Sequence, residues 1–130
     1  MTRKVALTLT LVPGRFAVCR FDPQEAMPDW VGQSDFFSVT RTAEELSVVC
    51  REDLVSDDLT SEVGWVCLKV EGPLDFSLTG VLASLAAPLA EAGISIFAVS
   101  TFDTDYLLIK ERDRDEALAV LTRAGHTVQT

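Results

Sequence analysis

Two polar segments of the chain carry the residue types that a small-molecule site needs. The first, residues 71–80 (EGPLDFSLTG), leads into a predicted helix, whose unpaired first N–H groups and positive dipole end favour a carboxylate or another anion. The second, residues 100–106 (STFDTDY), is a polar turn with an aromatic residue between two apolar strands. An ordinary helix cap by Asp75 or Ser77 and an ordinary hairpin turn are the alternative interpretations.

Motifs of the common catalytic and metal sites are absent from the sequence. No G-x-S-x-G, paired-histidine or phosphate-loop spacing occurs, and Asp103-x-Asp105 alone is too sparse for a calcium loop. The single histidine, His126, begins a predicted terminal strand, so we expect a structural or solvent-exposed role. We therefore expect no enzyme activity, no cofactor and no metal. The remaining catalytic alternative is an enzyme that uses Asp103 or Asp105 as a general base.

The composition limits the class of partner and the compartment. Asp and Glu number 20 against 11 Lys and Arg, a net charge of −9, yet 48% of the residues are hydrophobic, so the chain is acidic and able to fold. Duplex nucleic acid and anionic membranes are bound mainly through clustered Lys and Arg, and we expect neither. Three cysteines in apolar runs without C-x-x-C spacing, and no stretch long enough for a membrane span, predict a cytoplasmic protein with buried thiols.

The elements that must position the two segments are clearest in the second half. Strands are predicted at residues 64–71, 94–100, 106–110 and 126–129, and helices from Leu78 to Gly93 and from Asp113 to Gly125. Pro88 lacks an N–H donor and predicts a kink or a break in the last turn of the first helix. This order is the ferredoxin-like pattern (βαββαβ), in which both helices cover one face of an antiparallel sheet.

The first half follows this pattern only loosely. Its strands are predicted as a hairpin of residues 5–12 and 16–21 around Pro13-Gly14, and a second pair of residues 36–41 and 46–50. Its helices are short, because residues 22–30 hold at most a turn or two between prolines. We predict an α+β protein of two units in tandem, residues 1–60 and residues 61–130.

The segments at residues 71–80 and 93–106 resemble the ACT domain family. The most specific match is STFDTDY, and the GISI strand before it is common to many ACT domains. More narrowly, the chain is similar to the ACT modules of the CASTOR arginine sensors, to small bacterial tandem ACT proteins and to aspartokinase regulatory regions. The resemblance covers residues 64–128 well, and in the first half it rests on residues 44–50 (EELSVVC).

The resemblance implies two ACT-like units and a small effector, in this family usually an amino acid, bound at an interface between units. If the ligand pocket of the family is transferred to the matching positions of this chain, the resemblance implies contacts from Asp75, Phe76, Ser77, Thr79, Gly80, Thr101, Phe102 and Asp105. Ser47 and Val48 would contribute from the facing unit. The apolar Leu78 at the helix start departs from the acidic residue of the arginine sensors, so arginine is not expected in particular.

The expected function is a non-catalytic regulatory protein, a homodimer that acts on an enzyme or another protein in trans. The alternative is a ligand-free adaptor whose ACT units serve oligomerisation or partner binding. The charge distribution favours a ligand with a positive group, because residues 70–109 contain no Lys or Arg. The carboxylate of such a ligand would accept hydrogen bonds from backbone N–H groups, unless the other half of the chain supplies a cation such as Arg51.

Overall fold

A computed structural model describes residues 5–72, 74 and 79–130. The strands are β1 (Thr8–Phe21), β2 (Ser38–Arg41), β3 (Leu46–Arg51), β4 (Ser61–Val70), β5 (Ile96–Ser100), β6 (Asp105–Lys110) and β7 (Thr127–Gln129). The helices are α1 (Val81–Glu91) and α2 (Arg114–Arg123), and short 3-10 turns lie at Asp29–Gln33, Glu52–Leu54 and Glu111–Asp113. The predicted α+β class is confirmed.

The described chain forms two compact units. The first unit combines residues 5–13 with residues 66–130, and the second unit is residues 14–65. The sequence predicts a division between residues 60 and 61, with each unit a single stretch of chain. In the structure the first unit is made of two separate stretches. The physical reason is strand pairing, because β1 begins beside the last strand, with Thr8 aligned to Thr127.

The first unit has the predicted order of elements but a different sheet. From β4 to β7 the chain runs strand, helix, strand, strand, helix, strand, as expected. The strands lie in the order β7, β1, β4, β6, β5, so β1 is inserted between the last strand and β4. The pairing of β5 with β6 is antiparallel, whereas that of β1 with β7 is parallel. The expected wholly antiparallel βαββαβ sheet is therefore modified by one added strand.

Both helices of the first unit pack on one face of this sheet. Alternate residues of each strand enter the core, as the twofold period of a strand requires. The buried set is Leu9, Val66, Leu68, Val70, Leu85, Leu89, Ile94, Leu107, Ile109, Ala117, Val120 and Leu121. In α1, Val81, Leu85 and Leu89 are buried, whereas Leu82, which helical spacing predicts on the same face, is 37% exposed.

The second unit is a sheet without an α-helix. Its strands lie in the order β2, β3, β1, β4, with antiparallel pairing of β2 with β3 and of β1 with β3. The predicted pair of residues 36–41 and 46–50 is confirmed as β2 and β3, and the only helical segments within residues 14–65 are two 3-10 turns. Its core consists of Ala17, Cys19, Phe21, Val31, Leu46, Val48 and Cys50.

The predicted hairpin around Pro13-Gly14 is wrong, because β1 is one strand of 14 residues. On one side of β1 the partner changes from β7, which pairs with residues 8–10, to β3, which pairs with residues 16–21. Pro13 lies between these ladders, where its missing N–H removes no bond to either strand. Gly14 has φ +96°, a conformation typical of a bulge rather than of chain reversal here.

Of the kink or break predicted at Pro88, the break is wrong, since α1 continues to Glu91. Pro88 cannot donate to the carbonyl of Ser84, one turn earlier, but Nε2 of His126 contacts that oxygen at 3.0 Å. The N–H of Leu7 donates to Nδ1 of the same ring at 3.1 Å, so Nε2 carries the proton. His126 is 3% exposed, and its expected structural role is confirmed.

All three cysteines are buried free thiols, as the sequence predicts. Cys19 and Cys50 lie on the paired strands β1 and β3 and hydrogen-bond to each other, which lowers the pKa of Cys19 and raises that of Cys50. Burial raises the pKa of Cys67 to about 12. The thiols of Cys50 and Cys67 are therefore held in their neutral form at ordinary pH.

Candidate functional site

The two candidate segments lie side by side in the first unit. The N–H of Leu74, between β4 and α1, donates to the carbonyl of Asp103 in the β5–β6 turn at 2.7 Å. The hydroxyl of Thr104, a side chain only 5% exposed, donates to the carbonyl of Val70 at 2.6 Å. The sequence left open whether these segments are neighbours within one unit, and the structure brings them together.

The β5–β6 turn is closed by Thr101 and Thr104. The N–H and the hydroxyl of Thr101 both donate to the carbonyl of Thr104, at 2.8 and 2.9 Å. The N–H of Thr104 donates back to the Thr101 hydroxyl at 3.3 Å. Phe102 is 79% exposed, and Asp105 is half-buried at the first position of β6. The turn is thus an ordered platform that presents an aromatic ring and a carboxylate.

Gly72 is the point of closest approach between the two segments. A Cβ atom at this position would lie 2.9 Å from the backbone nitrogen of Leu74, 3.3 Å from the carbonyl oxygen of Asp103 and 3.4 Å from the Cβ of Thr104. Since real Cβ atoms essentially never approach a backbone atom to below 3.0 Å, only glycine fits without a shift of the backbone. Sequence reasoning placed Gly72 in the loop but gave it no role.

The N-cap of helix α1 is Gly80, with φ +79°, a residue that has no side chain to cap the helix. The first N–H groups of a helix have no partner within it, so they are potential donors to an anion. Thr79 and Gly80 are exposed at this end. The predicted contacts Asp75, Phe76 and Ser77 lie outside the described residues.

Arg51 is not available as the cation that the sequence analysis suggested. It makes a two-point contact with Asp53, Nε to Oδ1 at 3.0 Å and Nη2 to Oδ2 at 3.1 Å, and this carboxylate raises the pKa of Arg51. A guanidinium already paired in this way gives little to an anionic ligand.

The two predicted contacts from the first half differ in burial. Ser47 is half-buried and lies directly opposite Arg20 in the β1–β3 ladder, whereas Val48 is fully buried in the core of the second unit. Their contact with a ligand held by the first-unit segments stays a prediction. Arg20 was not predicted as a site residue, because its position opposite Ser47 depends on the register of the two strands.

A pocket of about 200 Å³ lies in the second unit around Ser47. Its polar lining is Arg20, Glu45, Ser47, Thr60, Ser61 and Glu62. Val18 and Cys19 line it as well, so one arginine, two glutamates and three hydroxyl-bearing residues border a pocket that also has apolar walls. In the part of the chain that the structure describes, no group of three His, Cys, Asp or Glu residues is arranged to hold a metal ion.

Between Val5 and Thr130, leaving aside residues 73 and 75–78, no helix has the length and apolar character to cross a bilayer.

Two family models match the chain. The model of the ACT domain family matches residues 60–123, which include β4, α1, β5, β6 and all of α2. A second model, which describes an N-terminal domain, matches residues 14–58 and so falls within the second unit.

A curated relative is 30% identical over 99 residues, which cover 68% of this chain. It is the cytosolic arginine sensor for mTORC1 subunit 1 of Bos taurus. The match covers 30% of that relative, so the chain spans less than a third of its length.

Solved structures share the fold along most of the chain. A crystal structure of an Agrobacterium tumefaciens protein is 39% identical, with a TM-score of 0.91 over 95% of this chain and 92% of that one. The ligand-free regulatory subunit of aspartate kinase from Thermus thermophilus is 13% identical, with a TM-score of 0.64 over 92% of this chain and 99% of that one. At 13% identity the likeness concerns the fold alone.

Proposed function

Because the chain belongs to the ACT domain family, we propose that it is a regulatory protein that binds an amino acid and has no catalytic activity. The proposal depends most on the hydrogen bond from Leu74 to Asp103, which keeps the two candidate segments side by side. The name of the bovine relative, an arginine sensor, supports an amino acid as the class of ligand.

The ligand is bound where the loop before α1 meets the β5–β6 turn. Its α-carboxylate accepts hydrogen bonds from the N–H groups at the start of α1, beside Thr79 and Gly80. Its ammonium group donates to the carboxylate of Asp105, and the exposed ring of Phe102 covers the pair from water. The absence of Lys and Arg from residues 70–109 supports a ligand with a positive group.

The remaining predicted contacts complete this site in the proposal. Asp75, Phe76, Ser77 and Thr101 belong to the same two segments, and Ser47 approaches from a facing ACT-like unit, with Val48 buried in the core of that unit behind it. The chain then acts as two ACT-like units in tandem, in a cytoplasmic homodimer that regulates an enzyme or another protein in trans. The word cytosolic in the name of the relative supports the compartment.

A thermal-shift screen of the twenty common amino acids tests the proposal. A ligand that binds only the folded state raises the Tm, and 100-fold saturation adds about 2.7 kcal/mol to the free energy of unfolding. Asp105→Asn removes the proposed ammonium partner and should abolish most of the shift. Asp115→Asn changes an exposed carboxylate in the first turn of α2 and should leave the shift intact.

The outcomes separate the candidate functions. No shift with any amino acid at millimolar concentration, from a folded protein, would overturn amino-acid binding. It would favour the adaptor, for which the 79% exposure of Phe102 supplies a contact surface. A shift that survives Asp105→Asn would refute the site while leaving the function in place.

A further inference from the structure

We propose that the second unit has a small-ligand site of its own, a pocket that binds a small zwitterion through Arg20 and Glu45. The pocket, named here the Arg20 pocket, is the depression of about 200 Å³ lined by Val18 and Cys19 and by the polar residues Arg20, Glu45, Ser47, Thr60, Ser61 and Glu62. This goes beyond the proposed function, because it requires none of the first-unit segments.

The pocket lies beside the face of the second-unit sheet that points away from the core. Arg20 and Ser47 are register partners in β1 and β3, and paired residues project to the same face. Their sequence neighbours Cys19, Leu46 and Val48 project to the other face and form the core. The guanidinium and the hydroxyl are therefore neighbours by virtue of the sheet itself, a rigid element on which a site can be held.

The guanidinium of Arg20 is held in place by one hydrogen bond and has further donors for a ligand. Its Nη2 donates to the carbonyl of Glu44 at 2.9 Å, and the group carries further N–H donors for a ligand. Carboxylates are the anions that match the planar fork of a guanidinium. Unlike Arg51, which is held by Asp53 at two points, Arg20 is anchored through a neutral carbonyl and keeps its charge for an anion.

Glu45 also lines the pocket, and its backbone is held in a tight turn. The N–H of Thr42 donates to the carbonyl of Glu45 at 2.9 Å, and the N–H of Glu45 donates to the hydroxyl of Thr42 at 3.2 Å. The same turn supplies the Glu44 carbonyl that anchors Arg20. One turn therefore anchors the guanidinium of Arg20 and fixes the backbone from which the side chain of Glu45 extends.

Opposite charges at one small pocket define the ligand class. An α-amino acid offers a carboxylate for Arg20 and an ammonium group for Glu45, while the hydroxyls of Ser47, Thr60 and Ser61 can bond to a polar side chain. Pockets that hold drug-sized ligands have volumes of about 300 to 1,000 Å³. A pocket of 200 Å³ is smaller, so we expect alanine or serine rather than an aromatic amino acid.

Isothermal titration with L-serine on the full chain tests this site. Arg20→Gln and Glu45→Gln should each weaken binding about tenfold or more, because each removes one charge-assisted partner. Arg15→Gln is the matched control, since it removes another exposed arginine of the same unit and should leave the affinity unchanged. Propionate should bind weakly and lose its binding only with Arg20→Gln, and L-tryptophan should not bind.

Asp105→Asn distinguishes this inference from the proposed function. Serine binding that is lost with Arg20→Gln and kept with Asp105→Asn supports an independent pocket. Binding that is unchanged in both pocket variants overturns the inference and leaves the first-unit site untouched. Sensitivity to all three substitutions overturns an independent pocket in favour of one shared site. If no amino acid binds the unmodified protein, both proposals fail.

Discussion

His126 supplies the hydrogen bond that Pro88 cannot make. The proline removes the donor for the carbonyl of Ser84, and Nε2 of the histidine takes its place from a loop 42 residues further along the chain. The ring also accepts from the N–H of Leu7, so it ties α1 to the segment before β1 within the first unit.

His126→Ala should therefore destabilise the protein by about 3 kcal/mol, because it leaves two buried backbone groups unpaired and opens a cavity. In a Pro88→Ala background the restored N–H can donate to Ser84, so the same change should cost about 1 kcal/mol less. A double-mutant cycle in urea measures this coupling. Strictly additive effects would show that the histidine does not compensate for the proline.

Thr104→Val should destabilise the protein by about 1–2 kcal/mol, since it leaves the Val70 carbonyl without its buried donor while preserving side-chain shape. Thr122→Val is the matched control, because that hydroxyl donates to Leu118 at an exposed position and should cost less than about 0.5 kcal/mol. Chemical denaturation gives both values. Equal costs would contradict a structural role for the buried bond.

Gly72→Ala should move the loop away from the β5–β6 turn. The added Cβ would lie 2.9 Å from the Leu74 nitrogen, so the bond from Leu74 to Asp103 should weaken. We expect a loss of about 1–3 kcal/mol and faster hydrogen exchange of the Leu74 amide.

Gly32→Ala provides the comparison for this substitution. Its Cβ would meet nothing within 4 Å, and the position has no positive φ. We expect a change within about 0.5 kcal/mol for it. Unchanged protection of the Leu74 amide in Gly72→Ala would show that the close approach does not hold the loop.

Cys67 should make stability fall at alkaline pH. Its thiol has a pKa of about 12 in the folded protein against 9.0 for the unperturbed group, so above pH 9 the unfolded chain binds fewer protons. The stability that the neutral thiol of Cys67 contributes to the folded state is fully present below pH 9. It falls by about 1.4 kcal/mol per pH unit as the pH rises towards 12. Comparing wild type with Cys67→Val isolates this contribution, because other alkaline groups titrate in both. Parallel profiles would contradict the assignment.

Local patterns in the second half predicted the elements there well. Of the helical face predicted from Leu78, Val81, Leu82, Leu85 and Leu89, the structure buries Val81, Leu85 and Leu89 against the sheet, whereas Leu82 is 37% exposed and Leu78 lies outside the described residues. A break at Pro88 was wrongly predicted because the Ser84 carbonyl is contacted by His126, which is distant along the chain. No local pattern reports such a contact.

The first half shows the same limit at Pro13-Gly14. These residues carry a turn signal, but whether the chain reverses there depends on which strands flank β1, a property of residues 46–51 and 127–129. The Arg20 pocket was missed for the same reason. Its charges come from β1, the β2–β3 turn and β4, and only the register of the strands places Arg20 opposite Ser47.

The parallel pairing of β1 with β7 has a consequence for the order of folding. Thr8 is synthesised 119 residues before its partner Thr127, so this contact has a very high sequence separation. Residues 14–65 are contiguous and can form their ladders during synthesis, whereas the first unit must wait for nearly the whole of the described chain. The start of β1 therefore keeps an unpaired edge in the nascent chain, a site where chaperones could act.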